Sequence, residues 1–231
     1  MEPNHWRQMD FYNPKNNHSV LIVGAGSIGS YVAFGLARMG VKDITVVDFD
    51  TVASHNLPNQ FFSESLPDEE ETILKVNALS TAIKLIMPNK NISIHPMKIE
   101  NFLENNESNH YNAIFTLVDC MNVRKFIYSF LKHRAMFADY LIDARVGGEY
   151  ANVFSIPLRR NSARTFYEST LWSNSDSEEL PCTGRSVIDV TFCVAGECIG
   201  RFRAAMNQKL RVYHTFHSYN IGSSVIFAKA E

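Results

Sequence analysis

The chain has 231 residues, 45% hydrophobic and 20% charged, which is enough apolar material for one substantial core. A net charge of −2 at pH 7 offers no electrostatic footprint for nucleic acid, and no apolar run approaches the ~20 residues that a membrane-spanning helix needs. The polar start from Met1 to His5 has no signal-peptide core, so the expectation is a cytoplasmic protein with neither nucleic acid nor membrane as a partner. Cys120, Cys182, Cys193 and Cys198 do not form the paired Cys-x-x-Cys of a structural zinc site, and no disulfide framework is expected in a reducing compartment. Cys193 and Cys198 fall inside an apolar segment and read as small buried side chains.

In chain order, the first element is a strand at residues 20–23 (VLIV), which runs into Gly24, Ala25, Gly26, Ser27, Ile28 and Gly29. A helical pattern follows and stops at Gly40, and a second strand at 44–48 ends on Asp48. Strand, glycine turn, helix and a strand ending in an acid is the order of a nucleotide-binding βαβ unit. Gly24 permits the tight turn, Gly26 lets backbone approach a phosphate, and Gly29 lets the helix pack close to its strand. The helix N-terminus offers free N–H groups to an anion, and Asp48 is placed for a ribose hydroxyl.

A helix is expected from Lys75 to just before Pro88, then a strand at 92–97, a polar loop at 101–109 and a buried strand at 113–118. Helix 122–133 leads to strand 140–143, and 149–157 alternates as a further strand where parallel order gives way to antiparallel pairing. Residues 162–180 are serine-rich and acidic without clear periodicity and read as a mobile surface crossover. A long helix at 187–206 and short strands at 213–219 and 224–228 complete the chain. The expected fold is α/β and Rossmann-like, a mostly parallel sheet with helices on both faces and antiparallel strands toward the C-terminus.

The residues after Asp48 narrow the ligand. The chain reads Asp48, Phe49, Asp50, then Asn56, Asn59 and Gln60, and Lys75-Val76 opens the next helix. Arg7-Gln8 precedes the first strand, Asp119 is followed five residues later by Arg124, and Pro181-Cys182 precedes the last long helix. This ordered set, spread from Arg7 to Cys182, resembles the ThiF/MoeB/HesA family, which shares its adenylating fold with the ubiquitin-activating enzymes. The chain is similar to a stand-alone, zinc-free member forming a single domain over residues 1–231, with a mobile crossover near 162–182.

The resemblance implies ATP and Mg²⁺ as cofactors, a small ubiquitin-like or sulfur-carrier protein as partner, and a homodimer. Gly24, Gly26, Gly29, Asp48, Asp50, Asn56, Gln60 and Lys75 are the implied nucleotide-binding residues. Asp119 is the implied metal ligand, and its other reading is a helix N-cap. Lys75 would direct its ammonium at the β- and γ-phosphates. Arg7 would reach across the dimer into the partner's site, or else is an exposed arginine near the terminus. Cys182 is either an acceptor of the activated acyl group or a thiol without that duty. Arg124 matches the family's arginine and could instead pair with an acid, while Asp143 and Arg145 end a strand at the same sheet edge as Asp119.

One position departs from the family. Asn59 stands where adenylating members usually carry arginine, which removes a positive charge from the triphosphate site. The implied reaction is adenylation of a carrier's C-terminal carboxylate. The alternatives are a nucleotide-binding scaffold or regulatory partner, an NAD-dependent oxidoreductase using the same glycine turn and Asp48, and an enzyme adenylating a free carboxylate or peptide.

Overall fold

The computed structural model describes residues 4–62, 72–134, 136–171, 187–219 and 222–229. Among them β1 (Ser19–Val23), α1 (Ser27–Met39) and β2 (Asp43–Val47) form the opening unit. Gly40, at φ +88°, ends α1 in the left-handed conformation and its N–H bonds the carbonyls of Ala37 and Leu36. There follow α2 (Lys75–Ile86), β3 (Ser93–His95), α3 (Ile99–Asn105), β4 (Tyr111–Thr116) and α4 (Met121–His133). The remaining elements are β5 (Ala138–Gly147), β6 (Tyr150–Pro157), α5 (Asn161–Ser169), α6 (Ile188–Met206), β7 (Val212–Ser218) and β8 (Ser223–Lys229).

The strands form one sheet in the order β3-β2-β1-β4-β5-β6-β7-β8. Pairing is parallel from β3 through β5 and antiparallel from β5 to β8. Helices α1, α2 and α6 pack on one face, and α3, α4 and α5 on the other. Strand β1 contributes Val20 and Ile22 to the first core and Leu21 and Val23 to the second, all buried. That is why it reads as a continuous apolar run rather than an alternating one. The fold class expected from the sequence is therefore the one observed.

Several local expectations are corrected. Residues 99–105 form α3, not a loop, because Ile99, Phe102 and Leu103 share one buried face while the asparagines and glutamates cover the other. The first part of the supposed crossover is α5, whose Ala163 and Tyr167 lie four residues apart and are buried; residues 172–180 lie outside the described residues. Strand β5 does not end near Asp143 but continues to Gly147, held by β6 through a tight hairpin with Gly148 at φ +62°. Cys198 is buried as expected, but Cys193 is exposed on the outer face of α6.

The chain passes from β1 to β2 on one side of the sheet's centre, while β4 adds to β1 on the other. The loops after β1 and β4 thus diverge at their carboxyl ends. Open α/β sheets bind ligands in such a crevice.

Candidate functional site

The glycine turn follows β1 at this crevice. Gly24 has φ +98°, and a Cβ there would lie 2.4 Å from the carbonyl oxygen of Leu117 in the loop after β4. A Cβ on Gly29 would lie 1.9 Å from the carbonyl oxygen of Gly24. Both glycines are therefore required by contacts within the chain. Gly26 differs: it is the N-cap of α1, and a Cβ there would meet nothing within 4 Å. Its side faces open space at a helix N-terminus, the geometry that accepts an anion.

Asp48 follows β2 and braces this turn. Its Oδ2 accepts from the Ala25 N–H at 2.6 Å and its Oδ1 from the Asp50 N–H at 2.8 Å. Burial raises the pKa of the carboxyl, the two backbone hydrogen bonds oppose that shift, and Asp50 adds to it. Residues 50–52 run antiparallel to 73–75, with Val52 N–H bonded to the Ile73 carbonyl and Lys75 N–H to that of Asp50. This short ladder delivers Lys75 to the site, where its Nζ meets Asp50 Oδ2 at 2.9 Å. The lysine side chain is 12% exposed and the aspartate 49%, so the ammonium is sheltered and its partner faces solvent.

The chain leaving residues 50–52 forms a 3₁₀ turn, Ser54–Asn59. Asn56 Oδ1 accepts from the Ala53 N–H at 3.2 Å and closes that turn, so its acceptor has a local use. The Phe61 N–H donates to Ser30 Oγ at 2.9 Å, tying the segment to the first turn of α1. Gln60 is buried beside that tie, and its Oε1 has no hydrogen-bond partner among the described residues. Asn59 is partly buried on the same turn.

Asp119 lies exposed in the loop between β4 and α4. It is not the helix cap, because the N-cap of α4 is Cys120, and no side chain bonds the first turn. The Leu117 N–H bonds the Val23 carbonyl at 2.9 Å, which brings this loop against the glycine turn across the crevice. Arg124, on α4, points away from solvent and pairs with Asp143 at 2.9 Å. Arg145 pairs with the same carboxylate at 2.7 Å.

Thus Gly24, Gly26, Gly29, Asp48, Asp50 and Lys75 are brought together, with Asp119 and Gln60 at the margins of the same crevice. Arg7 is not with them. It is exposed in a short turn, Trp6–Gln8, whose Gln8 Nε2 donates to the Met39 carbonyl at 2.6 Å, at the far end of α1. The 13 residues of α1 span about 20 Å, so Arg7 sits roughly that far from its own chain's glycine turn. Cys182 lies outside the described residues.

Tyr167, whose hydroxyl donates to Asp143 Oδ2 at 3.0 Å, is the polar residue that sequence reasoning missed. The available signal was an acid, Asp143, embedded in an apolar strand, which demands buried donors.

Comparison with known proteins agrees with this architecture. The model of the ThiF family matches residues 8–223. The chain is 31% identical over 102 residues to the tRNA threonylcarbamoyladenosine dehydratase of Haemophilus influenzae, covering 43% of this chain and 36% of that protein. It is 30% identical over 105 residues to the molybdopterin-synthase adenylyltransferase of the same species, covering 46% of this chain and 42% of that protein. The chain therefore spans less than half the length of these curated relatives. Among solved structures, E. coli MccB with ATP superposes with a TM-score of 0.73 at 14% identity, covering 100% of this chain and 73% of that one. PaaA does so with a TM-score of 0.68 at 16% identity, covering 97% and 81%. At those identities the likeness establishes the fold. With the family matched over nearly its full length, the chain belongs to the ThiF family.

Proposed function

We propose that this chain is an ATP- and Mg²⁺-dependent adenylyltransferase, one domain over residues 1–231, that activates the C-terminal carboxylate of a small ubiquitin-like or sulfur-carrier protein. The observation that carries the reading is the carboxyl edge of β1 and β2, where Gly26 at the start of α1 is unobstructed and Asp48, bonded to the Ala25 N–H, stands two residues from the Asp50 that holds the sheltered Lys75. In this reading the N–H groups at the start of α1 and Lys75 bind the phosphates, and Asp48 receives the ribose. Lys75 is held on Asp50 until the triphosphate supplies a stronger partner. A carrier carboxylate oxygen attacks the α-phosphorus as the bond to the β-phosphate oxygen breaks. The products are an acyl-adenylate and pyrophosphate, and positioning with charge stabilisation supplies most of the rate.

Mg²⁺, when bound, offsets charge on the phosphate oxygens. Asp119 suits it, because Mg²⁺ is commonly held by one or two carboxylates plus phosphates and waters. Among the described residues no cluster of three or more His, Cys, Asp or Glu offers an all-protein cage. Arg7 is assigned to the partner's site in a homodimer, which its distance from its own glycine turn favours. Cys182 is the proposed acceptor of the acyl group.

The test is carrier-dependent ATP–pyrophosphate exchange. Lys75→Ala and Asp119→Ala are expected to abolish it while circular dichroism stays unchanged; full activity in either variant overturns the assignment. A nucleotide-binding partner without adenylating activity is the second reading, favoured by Asn59. Tight ATP binding with no exchange for any carrier would select it.

A further inference from the structure

A buried polar hub lies behind the Asp119 loop, and no step proposed above uses it. Its centre is Asp143 on β5, which is fully buried. The carboxylate accepts from Arg124 Nε at 2.9 Å, Arg145 Nε at 2.7 Å and the Tyr167 hydroxyl at 3.0 Å. These donors come from α4, β5 and α5. Burial by itself disfavours the charged carboxylate, but the two guanidinium groups hold its pKa below the usual range. Arg145 is fixed in turn by the Thr170 carbonyl at 2.8 Å and by the Phe154 ring, 4.4 Å from its guanidinium carbon.

A buried ion network is an inefficient way to stabilise a fold, since well-packed apolar residues often do as well or better. An arginine can do what a leucine cannot: hold named carbonyl groups in fixed positions. Arg124 Nη2 donates to the carbonyl of Ala144 at 3.0 Å and to that of Val118. Val118 immediately precedes Asp119. On the other side the loop is fixed by the Leu117 N–H on Val23 and by the close approach of Gly24 to the Leu117 carbonyl. The chain is thus pinned at Leu117 by the glycine turn and at Val118 by the hub, and Asp119 is the next residue, exposed.

We infer that the Asp143 hub positions Asp119: Asp143 aligns Arg124, Arg124 fixes the Val118 carbonyl, and the Asp119 carboxylate is held at the crevice before any ligand arrives. The inference deepens the proposed function and rests on it for the metal role of Asp119. Arg124, Asp143, Arg145 and Tyr167 are positioning residues and touch no substrate.

Two readouts on the whole chain test this. Arg124→Lys keeps the charge but loses the planar fork that joins one carboxylate to two carbonyls. Tyr167→Phe removes a single donor and keeps the ring, and Ile156→Val in the core serves as a stability control. The first readout is amide hydrogen exchange without nucleotide. Arg124→Lys should raise exchange about tenfold over residues 117–120, with β1 and β2 unchanged. The second is the Mg²⁺ concentration that half-saturates ATP binding. It should rise about 10–100-fold in Arg124→Lys, the range for lost partners of metal ligands, rise less in Tyr167→Phe, and stay at wild type in Ile156→Val.

Wild-type exchange over 117–120 in Arg124→Lys, or a uniform rise over the whole chain, overturns the inference. An unshifted Mg²⁺ dependence with a lowered melting temperature also overturns it, since that is a merely structural role. Localised exchange in a protein whose wild type binds no Mg²⁺-ATP would support the hub and overturn the proposed function alone.

Discussion

The glycine turn allows stability and binding to be separated by one methyl group. Gly26→Ala places that methyl where nothing lies within 4 Å, at a residue whose φ of −74° any amino acid adopts. Alanine is a poorer N-cap than glycine by about 0.5–1 kcal/mol, while removing a glycine from the unfolded chain returns about 0.4–1 kcal/mol. The two nearly cancel, so the melting temperature should stay within about 2 °C of wild type. Gly29→Ala is the contrast. Its methyl would lie 1.9 Å from the Gly24 carbonyl oxygen, so backbone must move. Overpacking of this kind costs about 1–3 kcal/mol or more, a fall of roughly 2–4 °C per kcal/mol for a chain of this size. If phosphates approach the backbone at Gly26, the added methyl displaces them from one or two charge-assisted hydrogen bonds. At about 1.5–3 kcal/mol each, ATP binding should weaken by at least tenfold. Calorimetric titration with Mg²⁺-ATP and thermal unfolding of both variants provide the measurements. A Gly26→Ala protein that binds ATP as tightly as wild type would falsify the placement of the phosphates at this turn.

Two further outcomes follow from particular contacts. Because Arg7 lies about 20 Å from its own glycine turn, Arg7→Ala and Lys75→Ala should each be inactive alone, yet mixed subunits should regain one complete site per heterodimer, about a quarter of all sites after random exchange; a monomer by light scattering with undiminished ATP binding refutes the shared site. His214 pairs through Nε2 with Asn152 Oδ1 at 2.8 Å and stacks on Phe154, and burial, reinforced by Arg145 and Arg201, pushes its pKa down to about 4. The folded state thus keeps it neutral while the unfolded chain protonates it near pH 6.5, so its stabilisation is complete above about 6.5 and is lost as pH falls toward 4. Melting temperature should decline across that window by an amount that His214→Gln reduces, and parallel declines in the two proteins would show that another group titrates.

The opening βαβ unit was legible in the sequence because its determinants are local. Four consecutive apolar residues, three of them β-branched and closed at once by glycine, suit a strand buried on both faces, Gly40 can end a helix in the left-handed conformation, and the spacing of Gly24, Gly26 and Gly29 is read within one turn. The candidate residues Asp48, Asp50 and Lys75 were legible too, since the ends of β2 and α2 bring them to one sheet edge in any fold of this class. What remained hidden depends on partners far along the chain. Helices α3 and α5 are too short for periodicity to outweigh their polar residues, and they exist because Phe102 and Tyr167 find a core to enter. The length of β5 is set by its pairing with β6. The tertiary structure adds which atoms crowd Gly24 and Gly29, the carbonyls of Leu117 and of Gly24 itself, and leaves Gly26 unobstructed. It alone seats Arg124 on an aspartate 19 residues away and carries Arg7 to the opposite end of α1. Local sequence specifies which backbone shapes are possible, but the cost of burying a charge without a partner, which selects these pairings, arises only when distant segments meet.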